Sequence, residues 1–268
     1  MHRNLQLITK RVFLNKLTYT PRLKPSCYPT RLLQQQQHSF LSTTVINKQS
    51  NTFSEKEKLH KVCWKCNHIA SRAAVSCENT ECGVIQPTVP ELNFYELLSV
   101  GTGENKSSPT FDVELGPLKR QFLKLQQVAH PDSYSNATER EHKYAEIQSS
   151  LLNKAYHTLK DPLARAQYLL AQKGVEIDES ESLHNPTLLM EVMEVREELE
   201  EAITDNDVEA IKNENDEKIK ETVANLSRAF ADNDLDLAKD YSIQLQYWEN
   251  IRRAIIDWAP GHRVEIKH

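Results

Sequence analysis

The sequence predicts an all-α protein. A helical hairpin turns at a His-Pro-Asp corner, a C-terminal three-helix bundle follows it, and a small four-cysteine metal knob precedes it. Three observations carry this expectation. Apolar residues recur at helical spacing on both sides of His130-Pro131-Asp132. Six glycines in 268 residues suit a helix-rich chain. Four cysteines fall between positions 63 and 82 in two close pairs.

The N-terminal segment stands apart. No Asp or Glu occurs before Glu55, while Arg3, Lys10, Arg11, Lys16, Arg22, Lys24, Arg31 and Lys48 all lie there among Leu5, Leu7, Ile8, Val12, Phe13 and Leu17. A basic, acid-free, hydroxyl-rich start with helical apolar spacing is the pattern of a mitochondrial presequence, with a disordered basic tail as the alternative. Residues 1–50 are therefore set aside from the fold. Of 33 Lys and Arg, 25 remain after removal of those eight, against 38 Asp and Glu, a formal charge of −13. Such an acidic chain is ill-suited to nucleic acid or an anionic membrane as a long-range partner.

Residues 60–90 form the expected metal-binding segment. Cys63 and Cys66 are separated by Trp64-Lys65, and Cys77 and Cys82 by Glu78-Asn79-Thr80-Glu81. Two close pairs across a short loop place four thiolates around one tetrahedral ion. The alternatives are two disulfides or inert thiols, and a reducing compartment disfavours permanent disulfides. Structural zinc is the preferred ion, although four thiolates also hold a single iron. With all four positions taken by protein, the site has no open coordination for catalysis.

Residues 92–175 carry the hairpin. A short helix begins at Phe94-Tyr95-Glu96-Leu97-Leu98, and a Gly/Ser/Asn/Pro loop runs from Gly101 to Pro109. The spacing predicts a helix over 115–129 with Leu118, Phe122, Leu125 and Ala129 inward, and Lys119, Arg120 and Lys124 on another face. After the corner, a helix over 138–159 buries Ile147, Leu151, Ala155 and Leu159 on one stripe. Asp161-Pro162 stops it, and a further short helix runs from 163 to 173. Pro131 fixes the backbone between antiparallel helices, so His130 and Asp132 project from a defined position. A His beside an Asp also suggests general-base catalysis, but no nucleophile or oxyanion donor set accompanies them.

Beyond an Asp/Glu/Ser-rich linker, Asp178 to Ser182, residues 184–260 predict three antiparallel helices over 186–203, 207–231 and 235–259. On a wheel of about 100° per residue, Leu188, Val192, Val195, Leu199 and Ile203 fall within about 80° and suffice as a core stripe. Leu189, Met190 and Met193 lie on the opposite flank, around Glu197. On the last helix Leu237, Tyr241, Leu245, Trp248, Ile251 and Ile255 face the core, and Tyr247 is rotated about a quarter turn away. Periodicity leaves two readings of this second face open: a docking patch, or a surface packed on the hairpin or on a second copy in a homodimer.

Phe94-Tyr-Glu-Leu-Leu98, the His130-Pro131-Asp132 corner and Asn153-Lys-Ala-Tyr-His-Thr-Leu-Lys-Asp-Pro162, in this order, resemble the J domain. That resemblance implies stimulation of ATP hydrolysis by a 70-kDa-class heat-shock chaperone, with His130, Pro131 and Asp132 acting on it and Lys119, Arg120 and Lys124 meeting its acidic surface. Gln126-Gln127-Val128-Ala129 stands where many J domains have a basic residue and an aromatic, and Ser133 where a Lys is frequent. The run Leu188-Leu-Met-Glu-Val-Met-Glu-Val-Arg-Glu-Glu-Leu199, with Pro162-Leu-Ala-Arg-Ala-Gln-Tyr-Leu-Leu170 before it, resembles the HscB family of iron–sulfur cochaperones. The resemblance implies a cluster scaffold protein bound through Leu189, Met190, Met193 and Tyr247, with Glu194, Arg196 and Glu197 at the rim. It further implies cluster transfer in the mitochondrial matrix by a protein that is not an enzyme. The paired cysteines resemble animal members, which more often have two residues within the second pair where this chain has four.

Overall fold

Side-chain caps set nearly every helix start in this chain, and they explain where the elements begin. The computed structural model describes residues 60–89, 91–103, 108–177 and 185–259. The segment read as a presequence and the linker after Ile177 lie outside the described residues. Asn93 accepts from the Glu96 amide at 2.7 Å to open α1, Phe94–Leu98. α2, Leu115–Ala129, starts at Glu114 without a side-chain cap and ends at the corner. Thr138 and Glu141 form a reciprocal capping box at the start of α3, Glu139–Lys160. Asp161 closes α3 and caps α4, Pro162–Gln172, with Pro162 in the first turn where a missing N–H costs nothing. Asn185 caps α5, Pro186–Glu201, and Asp234 caps α7, Leu235–Ile256.

Thr204 and Asp207 form a second capping box, so α6 runs Asp205–Ala231 and starts two residues before the expected 207. α5 accordingly ends at Glu201, and Ile203, expected in its core stripe, sits in the turn at 81% exposed. Leu237, expected inward on α7, is 41% exposed. The α3 stripe is also shifted: Ile147 is exposed, whereas Gln148, Leu152, Ala155 and Leu159 are buried. Gln148 turns inward because its amide has a backbone partner there, described below.

Among the described residues the fold is helical apart from two isolated bridges and one hairpin in the cysteine segment, β1 His60–Val62 paired antiparallel with β2 Ile69–Ser71. Among the described residues no helix is long and apolar enough to cross a membrane. One continuous apolar core runs through both helical regions, from Tyr95, Leu98, Leu118 and Leu152 to Leu199, Leu226, Leu245 and Trp248. Phe111, just before α2, stacks on Phe230 of α6 with ring centroids 5.2 Å apart. Ser227 Oγ lies 2.8 Å from both carboxylate oxygens of Asp112 and donates to them. Val75 of the cysteine segment also joins this core.

Candidate functional site

The corner is built by one proline and one imidazole. His130 is extended at φ −64°, ψ 126°, and Pro131 opens a single 3-10 turn, Pro131–Tyr134. His130 Nδ1 accepts from the Asp132 amide at 3.3 Å. The same nitrogen lies 3.6 Å from the Asp132 carboxylate, so imidazole and carboxylate stand side by side at the corner. Both side chains stand well out in solvent, at 50% and 91% exposure. Tyr134 donates from its hydroxyl to the Val128 carbonyl at 3.0 Å and ties the turn back onto α2.

Lys119, Arg120 and Lys124 are all exposed on α2. Between them Leu123 is 48% exposed, an apolar residue within the basic face that core-stripe reasoning does not single out. The Gln126–Ala129 stretch divides: Gln126 donates to Ser149 Oγ across the hairpin, Ala129 is fully buried, and Gln127 and Val128 are exposed. Only the last two are therefore available to a visitor.

On α5 the core contacts are Leu188, Val195 and Leu199. Met190 and Met193, which the wheel left off the core stripe, are 62% and 60% exposed. Leu189 and Tyr247 are half-buried, and Tyr247 packs against the apolar core. Glu194 and Glu197 are exposed, and Arg196 Nε pairs with Glu200 one turn along at 3.2 Å. Behind this face, Lys218 of α6 sits 4.8 Å over the Trp248 ring and 3.7 Å from Glu191 of α5.

The four cysteines converge. Their sulfur atoms all lie within 4.8 Å of one another, with Cys66–Cys77 at 3.6 Å and Cys63–Cys82 at 3.9 Å. A disulfide requires about 2.05 Å, whereas the edge of a tetrahedron with Zn–S bonds of about 2.3 Å is about 3.8 Å. The spacing thus fits four ligands of one metal ion. Burial would raise the Cys63 thiol, but hydrogen bonds from the Cys66 and Lys65 amides and from neighbouring thiols hold it down at about 6. Cys77 is pushed up to about 12, first by burial. Metal binding to such a set displaces the thiol protons.

Sequence spacing did not reveal that this knob is seated on α3. Trp64 meets Tyr144 edge-on at 6.2 Å and lies beneath the Arg140 guanidinium at 5.1 Å. Gln148 donates to the Gln86 carbonyl at 2.9 Å, and both residues are buried. A polar residue at an inward helical phase was the available signal.

Known proteins resemble much of the chain. A family model described as the HSCB C-terminal oligomerisation domain matches residues 184–256. The mitochondrial J-type co-chaperone JAC1 of Saccharomyces cerevisiae is 32% identical over 169 residues, covering 61% of this chain and 88% of its own. The iron-sulfur cluster co-chaperone protein HscB of Mus musculus is 32% identical over 196 residues, covering 72% and 80%. Among solved structures, human co-chaperone protein HscB superposes with a TM-score of 0.64 at 30% identity, covering 73% of this chain and 97% of that one. Jac1 from Saccharomyces cerevisiae gives 0.53 at 29% identity, covering 64% and 99%.

Proposed function

The chain belongs to the HscB/Jac1 family of iron–sulfur cluster co-chaperones, and from that membership we propose that it carries a cluster scaffold protein to a 70-kDa-class heat-shock chaperone and stimulates the chaperone's ATP hydrolysis. Cluster transfer follows from the chaperone's conformational change. The protein acts by binding and not by catalysis, in the mitochondrial matrix, after its basic N-terminal segment has served as a targeting sequence. Zinc at Cys63, Cys66, Cys77 and Cys82 is structural.

The observation that supports this most strongly is a pairing of two exposed surfaces on one core. His130 and Asp132 stand in solvent at the end of the helix that exposes Lys119, Arg120 and Lys124. Met190 and Met193 stand in solvent on α5, on a flank its core contacts leave free. A basic face steers association with an acidic ATPase surface. Unbranched, polarizable methionines adapt to an apolar partner, with Leu189 and Tyr247 beside them and Glu194, Arg196 and Glu197 at the rim.

The test is ATPase stimulation with and without scaffold. Leu189→Ala/Met193→Ala/Tyr247→Ala loses scaffold affinity by at least roughly thirtyfold, about 2 kcal/mol, and keeps basal stimulation. His130→Gln keeps scaffold affinity and loses stimulation. Normal scaffold binding by the triple variant removes the α5 assignment. A fall in its light-scattering mass at unchanged scaffold affinity assigns the face to self-association instead.

A further inference from the structure

We propose that the cysteine knob is a metal-dependent brace for the second limb of the His-Pro-Asp corner, with Gln86 and Gln148 as the positioning residues that link the metal site to α3. The inference rests on metal occupancy of the four cysteines and goes beyond it. Gln86 Nε2 donates to Cys63 Sγ at 3.2 Å and to the Val84 carbonyl at 3.0 Å. Its own carbonyl accepts from Gln148 Nε2 at 2.9 Å, a contact spanning 62 residues. Gln86 is 0% and Gln148 2% exposed, so losing either partner leaves a buried polar group unpaired.

The loop between the first two ligands makes the second connection. Trp64 donates from its indole to the Ile85 carbonyl at 2.7 Å, which fixes the ring against Tyr144 and under Arg140. Lys65 lies close enough to Glu141 to favour the carboxylate of the α3 capping box. Arg140, Tyr144 and Gln148 are spaced four apart and so form one stripe on the first half of α3, the half that leaves the corner. The residues that touch α3 are interleaved with the ligands: Trp64 sits between Cys63 and Cys66, and Gln86 follows Cys82 by four. A segment this short has little apolar core of its own, with Cys63, Cys77 and Val84 its buried cluster. Metal binding therefore supplies its folding energy, and loss of the ion releases Trp64 and Gln86 from α3. Linkage is reciprocal: an altered α3 contact must weaken the metal.

Full-length chain loaded with zinc is compared before and after removal of the ion by a chelator, with amide hydrogen exchange followed by mass spectrometry. Zinc removal strips protection from the knob and from residues 139–148 and leaves α6 unchanged. In competition with a chromophoric chelator, Gln148→Leu binds zinc about tenfold more weakly, the low end for outer partners of metal ligands, although it is no ligand. Trp64→Ala uncouples α3 exchange from zinc. Zinc binding with unchanged exchange at 139–148 on chelation overturns the brace alone, as does wild-type zinc affinity in Gln148→Leu. A chain that retains no zinc overturns both the brace and the metal-site reading.

Discussion

The corner after α2 and the free flank of α5 share one core, yet they hold their exposed residues in opposite ways. At the corner, position comes from the local chain: Pro131 restricts φ, Nδ1 of His130 accepts from a backbone amide, and Thr138 caps the next helix. On α5, position comes from behind. Met190 and Met193 are mostly exposed, and their helix is fixed by Leu188, Val195 and Leu199 packed against its neighbours. A site of the first kind leans mainly on its own stretch of chain and fails with a single local change. A site of the second kind tolerates changes around it and fails when its support is removed.

The sharpest way to break this contrast is to remove that support. Trp248 is 1% exposed, and Trp248→Ala should cost about 3–5 kcal/mol in urea unfolding. Met193→Ala should stay within about 0.5 kcal/mol, because its side chain is 60% exposed. A small effect of Trp248→Ala would show that α5 is held by something else. Next in size is the local support of the corner: Thr138→Ala removes a capping box and should cost about 1 kcal/mol, read from the same titration. Smallest is its pH dependence. Hydrogen bonds from Thr138, side chain first and then backbone, hold the Glu141 carboxyl below its ordinary 4.5. A depressed acid contributes stability that is present above the ordinary value and lost as pH falls through the folded one. Stability should therefore drop below about pH 4.5, and Glu141→Gln should flatten that part of the profile.

The same contrast explains what could be read in advance. The corner was legible because its determinants lie within a few residues of one another. The α5 flank was legible only as a surplus: Leu188, Val195 and Leu199 satisfied the core, which left Met190 and Met193 over. The wheel erred where a polar contact or a cap competed with periodicity. One step of about 100° separates Ile147, which is exposed, from Gln148, which is buried by its bond to Gln86. Ile203 left its stripe because the Thr204–Asp207 box restarts the chain. Seating of the knob on α3 left only one trace, Gln148 at an inward helical phase, since Trp64 and Tyr144 lie eighty positions apart and neither type announces a partner.

The Phe111–Phe230 stack and the Asp112–Ser227 bond tie the segment entering α2 to the far end of α6. A tether of loose chain would dilute one cargo relative to the other end, with an effective concentration that falls as the tether lengthens. Here the two ends belong to one compact unit with a shared apolar core. Under the proposed function, a molecule gripping α5 would share its support with the corner, and its delivery would require no search by a swinging arm.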